Sequence, residues 1–328
     1  MTKRCKYHKI NLILLILCLL FQTGCSRQTE PVSRTGLFFD TVITVTLYDP
    51  GKKDLLDKCF SMAERYESLF SVTIEGSDVW NINHSGGDPV LISDETAVLL
   101  TTAISYARLT DGIVDPTIGS VSSLWDFTSD TDPRIPDDTA IRDALSHVDY
   151  RKISLRDNIV SLEDPKARID LGFIAKGYIA DQMKDLLCTN GVTNGLINLG
   201  GNVLAIGSKP DGDVFHIGIQ KPFADPGESI MSVEIKDRSV VSSGTYCRYF
   251  EKDGTLYHHL LDPHTGYPAS SSLQAVTILS DHSVDGDALS TACFLLGLED
   301  GMELILKMPD TDAIFITSDG EVISSLEP

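Results

Sequence analysis

Apolar and polar side chains alternate through residues 37–48, with Ile43, Val45 and Leu47 on one side and Thr44 and Thr46 on the other, which predicts a strand. The period then changes. Leu55, Leu56, Cys59, Met62, Ala63, Tyr66, Leu69 and Phe70 recur at helical spacing. Ser93 is placed to cap a second helix, with Asp94 and Glu95 in its first turn and Asp111-Gly112 at its end. Residues 129–138 are polar and include Pro133 and Pro136, so they read as an exposed loop. A strand ending at Asp170 turns through Gly172 into a helix that follows Ile174 and stops at Asn190-Gly191. Strand-like runs come next at 203–206, 214–219, 231–235 and 273–279. Helices at 286–296 and 299–307 and a hairpin at 314–323 complete the pattern. Strand runs joined by short turns, with helices grouped between them, predict an α+β fold of largely antiparallel sheets flanked by helices. No strand leads into a GxGxxG turn, which excludes a doubly wound dinucleotide-binding fold.

The first residues follow another logic. Lys3, Arg4, Lys6 and Lys9 precede an apolar run over 10–21, broken only by Asn11, and then Thr23-Gly24-Cys25. That order is a secretory signal of the lipoprotein type. Residues 1–24 would be removed, Cys25 would become an acylated N-terminus, 25–35 would be a tether, and 36–328 a single domain. The chain is then expected to be exported and held on a membrane, facing the periplasm or the cell exterior. Gln22 stands where an apolar residue is usual, so signal cleavage without a lipid is the competing reading. Four basic residues and no acidic ones lie in 1–24, so their removal takes the formal charge from −20 to −24. Such a surface repels nucleic acid and anionic headgroups. It also obliges an anionic substrate to find a local cation. Beyond Cys25, the cysteines 59, 188, 247 and 293 are widely spaced among apolar or aromatic neighbours, which predicts buried free thiols.

Three segments carry candidate chemistry. Asp287 and Thr291 are four apart and share a helical face. A carboxylate and a hydroxyl so placed suit a hard cation such as Mg²⁺, although an aspartate near a helix start is commonly only a cap. Lys176 sits in the first turn of its helix, against the electrostatic preference of that position. That marks it for a phosphate, unless it simply points into solvent. His258 and His259 precede an Asp262-Pro263-His264-Thr265-Gly266 turn; they face opposite ways on a strand, so one at most enters a given site. His259 is the candidate general base, with a structural histidine as the alternative. Segments 77–83 and 115–119 read as ordered loops, and 198–202 and 242–246 as Gly- and Ser-containing turns able to offer donors to a phosphate.

In this order and spacing, Phe39-Asp40-Thr41, 77–83, 112–119, 170–181, 198–202, 242–246, 258–268 and 287–291 together resemble the FAD:protein FMN transferases, the ApbE-like family. The resemblance spans nearly the whole chain after the signal. It implies an ApbE-like (T-fold-like) domain with FAD as substrate and Mg²⁺ on the FAD pyrophosphate. The metal ligands implied are the Asp287 carboxylate, the Thr291 hydroxyl and the backbone carbonyl of Phe173. Asp170, Lys176, His259, Ile113, Val114 and Asp115 match positions that touch FAD, and Phe70 falls where an aromatic side chain meets the flavin. The activity implied is cleavage of FAD, with FMN placed through a phosphoester on a Thr or Ser hydroxyl of a target flavoprotein and AMP released. His259 and Asp287 carry the catalysis in that scheme, with Asp262 or Asp285 as candidates to share the base role. This chain departs from the family pattern in having Phe173 for a small residue, Ile113-Val114 for Ala-Phe, and Thr245 for an acid. Two other functions fit the same segments: an FAD pyrophosphatase releasing FMN and AMP, and an exported flavin-binding lipoprotein without turnover.

Overall fold

The alternation at 37–48 is interrupted at its start. Phe39 and Asp40 both take φ near +55°, closing a two-residue hairpin between β1 (Val32–Phe38) and β2 (Thr41–Leu47). The predicted single strand is therefore two, because the pleat resumes in phase on the far side of the turn. A left-handed Phe39 is held from both sides: its N–H donates to Glu67 Oε1 at 2.7 Å, and its carbonyl accepts from Arg248 Nη2 at 3.4 Å. The computed structural model describes residues 30–127 and 134–326. The signal, Cys25 and residues 129–133 of the expected loop lie outside them. Residues Pro31–Pro328 form one compact unit.

The helical spacing before Phe70 becomes α1 (Lys53–Phe70). Residues 77–83 are not a loop: Ser77 Oγ accepts from Trp80 N and starts α2 (Asp78–His84). Ser93 caps α3 (Asp94–Leu109) as expected. The short α4 (Gly119–Ser122) and α5 (Asp138–Leu145) precede α6 (Ala175–Thr189). The last two helices are α7 (Ser283–Leu296) and α8 (Leu298–Ile305). Helix α7 begins three residues before its predicted start, so Asp287 lies in its second turn rather than at its end.

A three-stranded sheet that the pattern did not foretell joins β3 (Val90–Leu91), β4 (Ile153–Arg156) and β5 (Ile159–Leu162). Then come β6 (Asn194–Leu199), β7 (Asn202–Gly207), the hairpin β8 (Phe215–Gln220) and β9 (Ser229–Ile235), and β10 (Ser239–Gly244). A second hairpin, β11 (Tyr249–Lys252) and β12 (Thr255–His258), precedes β13 (Leu273–Ser280), β14 (Asp312–Thr317) and β15 (Val322–Ser324). The large sheet runs β1-β2-β6-β7-β10-β13-β14-β15, antiparallel throughout. Residues 242–244, read as part of a turn, are the end of β10 at its centre.

The sheet is covered on both faces. Ile43, Val45, Leu47, Val276 and Ile278 meet Leu56, Cys59 and Ala63 of α1, Met183 of α6, and Leu289 and Phe294 of α7. On the other face Phe215, Ile219, Val233 and Ile235 cover Ala205, Val240, Ala275 and Ile314. Strand β13 is buried on both sides, which is why it reads as a nearly unbroken apolar run. Cys59 and Cys293 are buried free thiols as expected, but Cys188 and Cys247 are exposed.

Helices α6 and α7 touch backbone to backbone at Gly177. A Cβ there would lie 2.3 Å from the Ser283 carbonyl oxygen and 2.7 Å from Val284 Cα. Neither atom can swing aside. Gly177→Ala is expected to destabilise the fold by about 3 kcal/mol in urea denaturation, despite the roughly 1 kcal/mol of helix propensity that alanine adds. A loss below about 0.5 kcal/mol would show that the helices do not meet there.

Candidate functional site

Neither α6 nor α7 is capped by its own sequence. Ile174 and His282 occupy the two N-cap positions and offer no side-chain bond to the first turn. Each helix is capped by a carboxylate from the other. Asp181 of α6 accepts from Ser283 N at 2.8 Å and Val284 N at 2.9 Å. Asp287 of α7 accepts from Gly177 N at 2.9 Å. Below this pair, Ser239 Oγ donates to Ser283 Oγ at 3.1 Å, and Ser283 Oγ donates to Asn202 Oδ1 at 2.6 Å.

Asp287 is only 3 % exposed. Burial pushes its carboxyl up from the ordinary range, against the Lys176 charge and the Gly177 N–H, which favour the ionised form. Lys176 Nζ stands 3.3 Å from Asp287 Oδ1. One turn further along α7, Thr291 Oγ1 is 3.2 Å from Ser243 Oγ, which also meets Ser290 Oγ at 2.8 Å. The predicted pair of oxygen donors is thus present on α7, reached by Lys176 from α6 and by Ser243 from β10.

The two histidines do face apart. His258 is buried with its ring edge-on to Phe294 at 5.6 Å, and burial lowers its pKa to about 4. His259 is half-buried and sits beside Arg248 and Lys176. Desolvation first, then those two cations, hold its pKa far below the ordinary value, so the imidazole is neutral at pH 7. Its Nδ1 lies 3.3 Å from the Arg248 carbonyl, which can only accept. Nδ1 therefore carries the proton and Nε2 the lone pair.

The turn leading into α6 is tied to the 113–122 segment. Asp170 N donates to the Pro116 carbonyl at 2.8 Å, and the Asp170 carboxylate accepts from Ser122 Oγ and Gly172 N, each at 2.8 Å. Asn83 holds the preceding residue, donating to the Ile169 carbonyl at 2.9 Å and accepting from Ile169 N at 2.6 Å. Ile113 is half-buried and Val114 buried. Asp115 is buried too, and its oxygens accept from Thr117 N, Thr117 Oγ1 and Tyr150 N. Phe173 lies partly buried in the turn before α6. Phe70 stacks on Tyr66 at 5.2 Å and meets the edge of Tyr178 of α6 at 6.0 Å. It is 6 % exposed, so it sits in the wall beneath α6. Asp181, Asn83, Ser122 and Ser243 belong to this framework; Asp181, Asn83 and Ser243 carry no signal in the sequence beyond lying in the segments named above, and Ser122 lies outside all of them. Among the described residues no group of three or more His, Cys, Asp and Glu side chains is arranged to hold a metal; the oxygen set here has a single carboxylate.

A sequence model of the ApbE family matches residues 39–315, a span that holds all of these positions. An FAD:protein FMN transferase of Treponema pallidum (strain Nichols) is 33 % identical, across 99 % of this chain and 95 % of that protein. One from Klebsiella pneumoniae (strain 342) is 38 % identical over 89 % of this chain and 91 % of its own length. The crystal structure of the ApbE protein from Thermotoga maritima superposes with a TM-score of 0.83 at 31 % identity, covering 90 % of this chain and 97 % of that one.

The neutral His258 makes a pH prediction. An unfolded histidine binds its proton near 6.5, whereas the buried one releases it down to about 4. Between those values the unfolded chain holds more protons, so stability falls as pH drops through this window, by up to about 3 kcal/mol from this residue. His258→Leu should flatten the Tm profile between pH 6.5 and 4; an unchanged slope would place the acid sensitivity elsewhere.

Proposed function

We propose that this chain, which belongs to the ApbE family, is an FAD:protein FMN transferase. It cleaves FAD at the pyrophosphate, places FMN on a Thr or Ser hydroxyl of a partner flavoprotein, and releases AMP. The observation that carries this reading is the meeting of Asp287, Lys176 and His259 from three separate segments, with Thr291 one turn from Asp287.

The donor set fits Mg²⁺: a buried carboxylate and a hydroxyl are hard oxygen ligands, and the carboxylate already has a cation, Lys176, against it. Asp287, Thr291 and the Phe173 carbonyl would hold the ion. When bound, Mg²⁺ would neutralise the pyrophosphate and stabilise charge on the departing phosphate. Lys176, at the start of α6, gives the anion a positive seat on an acidic protein. His259 Nε2 takes the proton from the acceptor hydroxyl as its oxygen bonds to the FMN phosphorus. The bond from that phosphorus to the bridging oxygen breaks, and the electron pair leaves with AMP. Asp170, fixed by Ser122 and Asn83's hold on Ile169, keeps the turn before α6 in place.

We place the enzyme outside the cytoplasm on a lipid attached to Cys25, on the strength of the basic, apolar and small-residue order of 1–25. Cys25→Ser should move the protein from the membrane to the soluble fraction; continued sedimentation with membranes would refute the anchor.

Incubation with FAD, Mg²⁺ and an acceptor, followed by mass measurement of the acceptor, tests the activity. Asp287→Asn is expected to cut FMN transfer by about 100-fold or more, and His259→Gln by about 10²–10⁴-fold. Chelation should silence the wild type. Full transfer by Asp287→Asn with the metal chelated would overturn the scheme, and release of free FMN without acceptor labelling would make the chain a pyrophosphatase.

A further inference from the structure

Both oxygens of Asp287 are engaged. Oδ2 accepts from the Gly177 backbone N–H, and Oδ1 faces the Lys176 ammonium at 3.3 Å. These partners differ in one respect. The Gly177 N–H is fixed by α6, whose backbone is pressed against α7 at this residue. Lys176 holds its charge on a flexible stem, and about a third of its side chain is exposed while Asp287 is almost fully buried. Of the two oxygens, Oδ1 is the one whose partner can give way to a divalent ion, because Lys176 is flexible and the Gly177 N–H is not.

We propose that Lys176 is the internal counter-ion of the metal site. Without FAD it occupies Asp287 and keeps divalent metal out; the FAD pyrophosphate offers the ammonium another anion, and Asp287 then becomes available. This rests on the reading of the site as a metal-dependent FAD site, and it adds that metal and FAD enter as a coupled pair. The buried carboxylate is never left without a cation, which would cost heavily at this depth. Metal affinity in the absence of FAD is reduced by the fraction of molecules in which Lys176 has released Oδ1. By linkage, whatever factor FAD adds to metal binding, metal adds to FAD binding.

Mn²⁺ serves as the probe, with free ion counted by electron paramagnetic resonance on the folded chain. Without FAD, Lys176→Met is expected to bind Mn²⁺ about 10-fold more tightly than the wild type. Addition of FAD should then improve Mn²⁺ binding less in the variant than in the wild type. Lys176→Gln, which keeps a donor but no charge, should fall between them and guards against a folding defect in the methionine variant. In an Asp287→Asn background, Lys176→Met should make no difference. Unchanged or weaker Mn²⁺ binding by both Lys176 variants without FAD, while the wild type binds Mn²⁺ with FAD present, would overturn the proposal and leave the metal reading standing. Absence of Mn²⁺ binding to the wild type even with FAD would remove the metal reading itself, and this inference with it.

Discussion

Two helices that exchange carboxylates hold this molecule's site together. Asp181 ties down the start of α7 and Asp287 ties down the start of α6. The first N–H groups of a helix need partners, and the residues at the two N-cap positions here, Ile174 and His282, have none to give. The glycine at 177 lets the backbones approach closely enough for both exchanges to reach. Burial raises both acids, Asp181 to about 6, while the N–H groups they face and, for Asp287, the Lys176 charge pull the other way and favour the ionised form. Asp287 thereby has two duties: it fixes the geometry of α6 and presents the charge that a metal would use. A site residue that also closes a helix is rigid, and rigidity of the charged group is what phosphate chemistry requires.

Local features of the fold were legible wherever one element decided its own fate. The apolar stripe of α1 and the Ser93 cap of α3 needed no tertiary help, and both stand as read. The Phe39-Asp40 turn did not announce itself, since neither residue is the glycine or asparagine that such a turn favours; distant Glu67 and Arg248 impose it. Ser242 and Ser243 read as a turn because they are polar, yet they lie in a central strand. Their hydroxyls find partners across the fold, Ser242 on Thr277 at 2.8 Å and Ser243 on Ser290. The start of α7 was misplaced for a similar reason: its cap lies about a hundred residues away, on Asp181.

The site divides along the same line. Lys176 could be picked out because a cation in a first turn contradicts the helix dipole, and its partner proves to be a buried acid. His259 could be separated from His258 by strand alternation, and the pair does split between core and site. The spacing of Asp287 and Thr291 was visible, but not that α6 would supply one neighbour and β10 the other. Asn83 and Ser122 act on backbone or carboxylate groups 86 and 48 residues away, a relation that periodicity along a chain cannot express.

Electrostatics connects the acidic surface to the chemistry. A chain with formal charge −20 repels a dinucleotide at long range, and that repulsion is screened within about a Debye length of 8 Å at physiological salt. Inside that distance only the local charges matter. Lys176 and Arg248 flank His259, the amides of α6 point toward Asp287, and the histidine itself stays neutral. A protonated His259 would attract the anion more strongly but could not accept a proton. Desolvation is the main reason the base stays unprotonated; the cations beside it add to that effect and also draw the phosphate in, one of them a lysine placed where a helix alone would not have it.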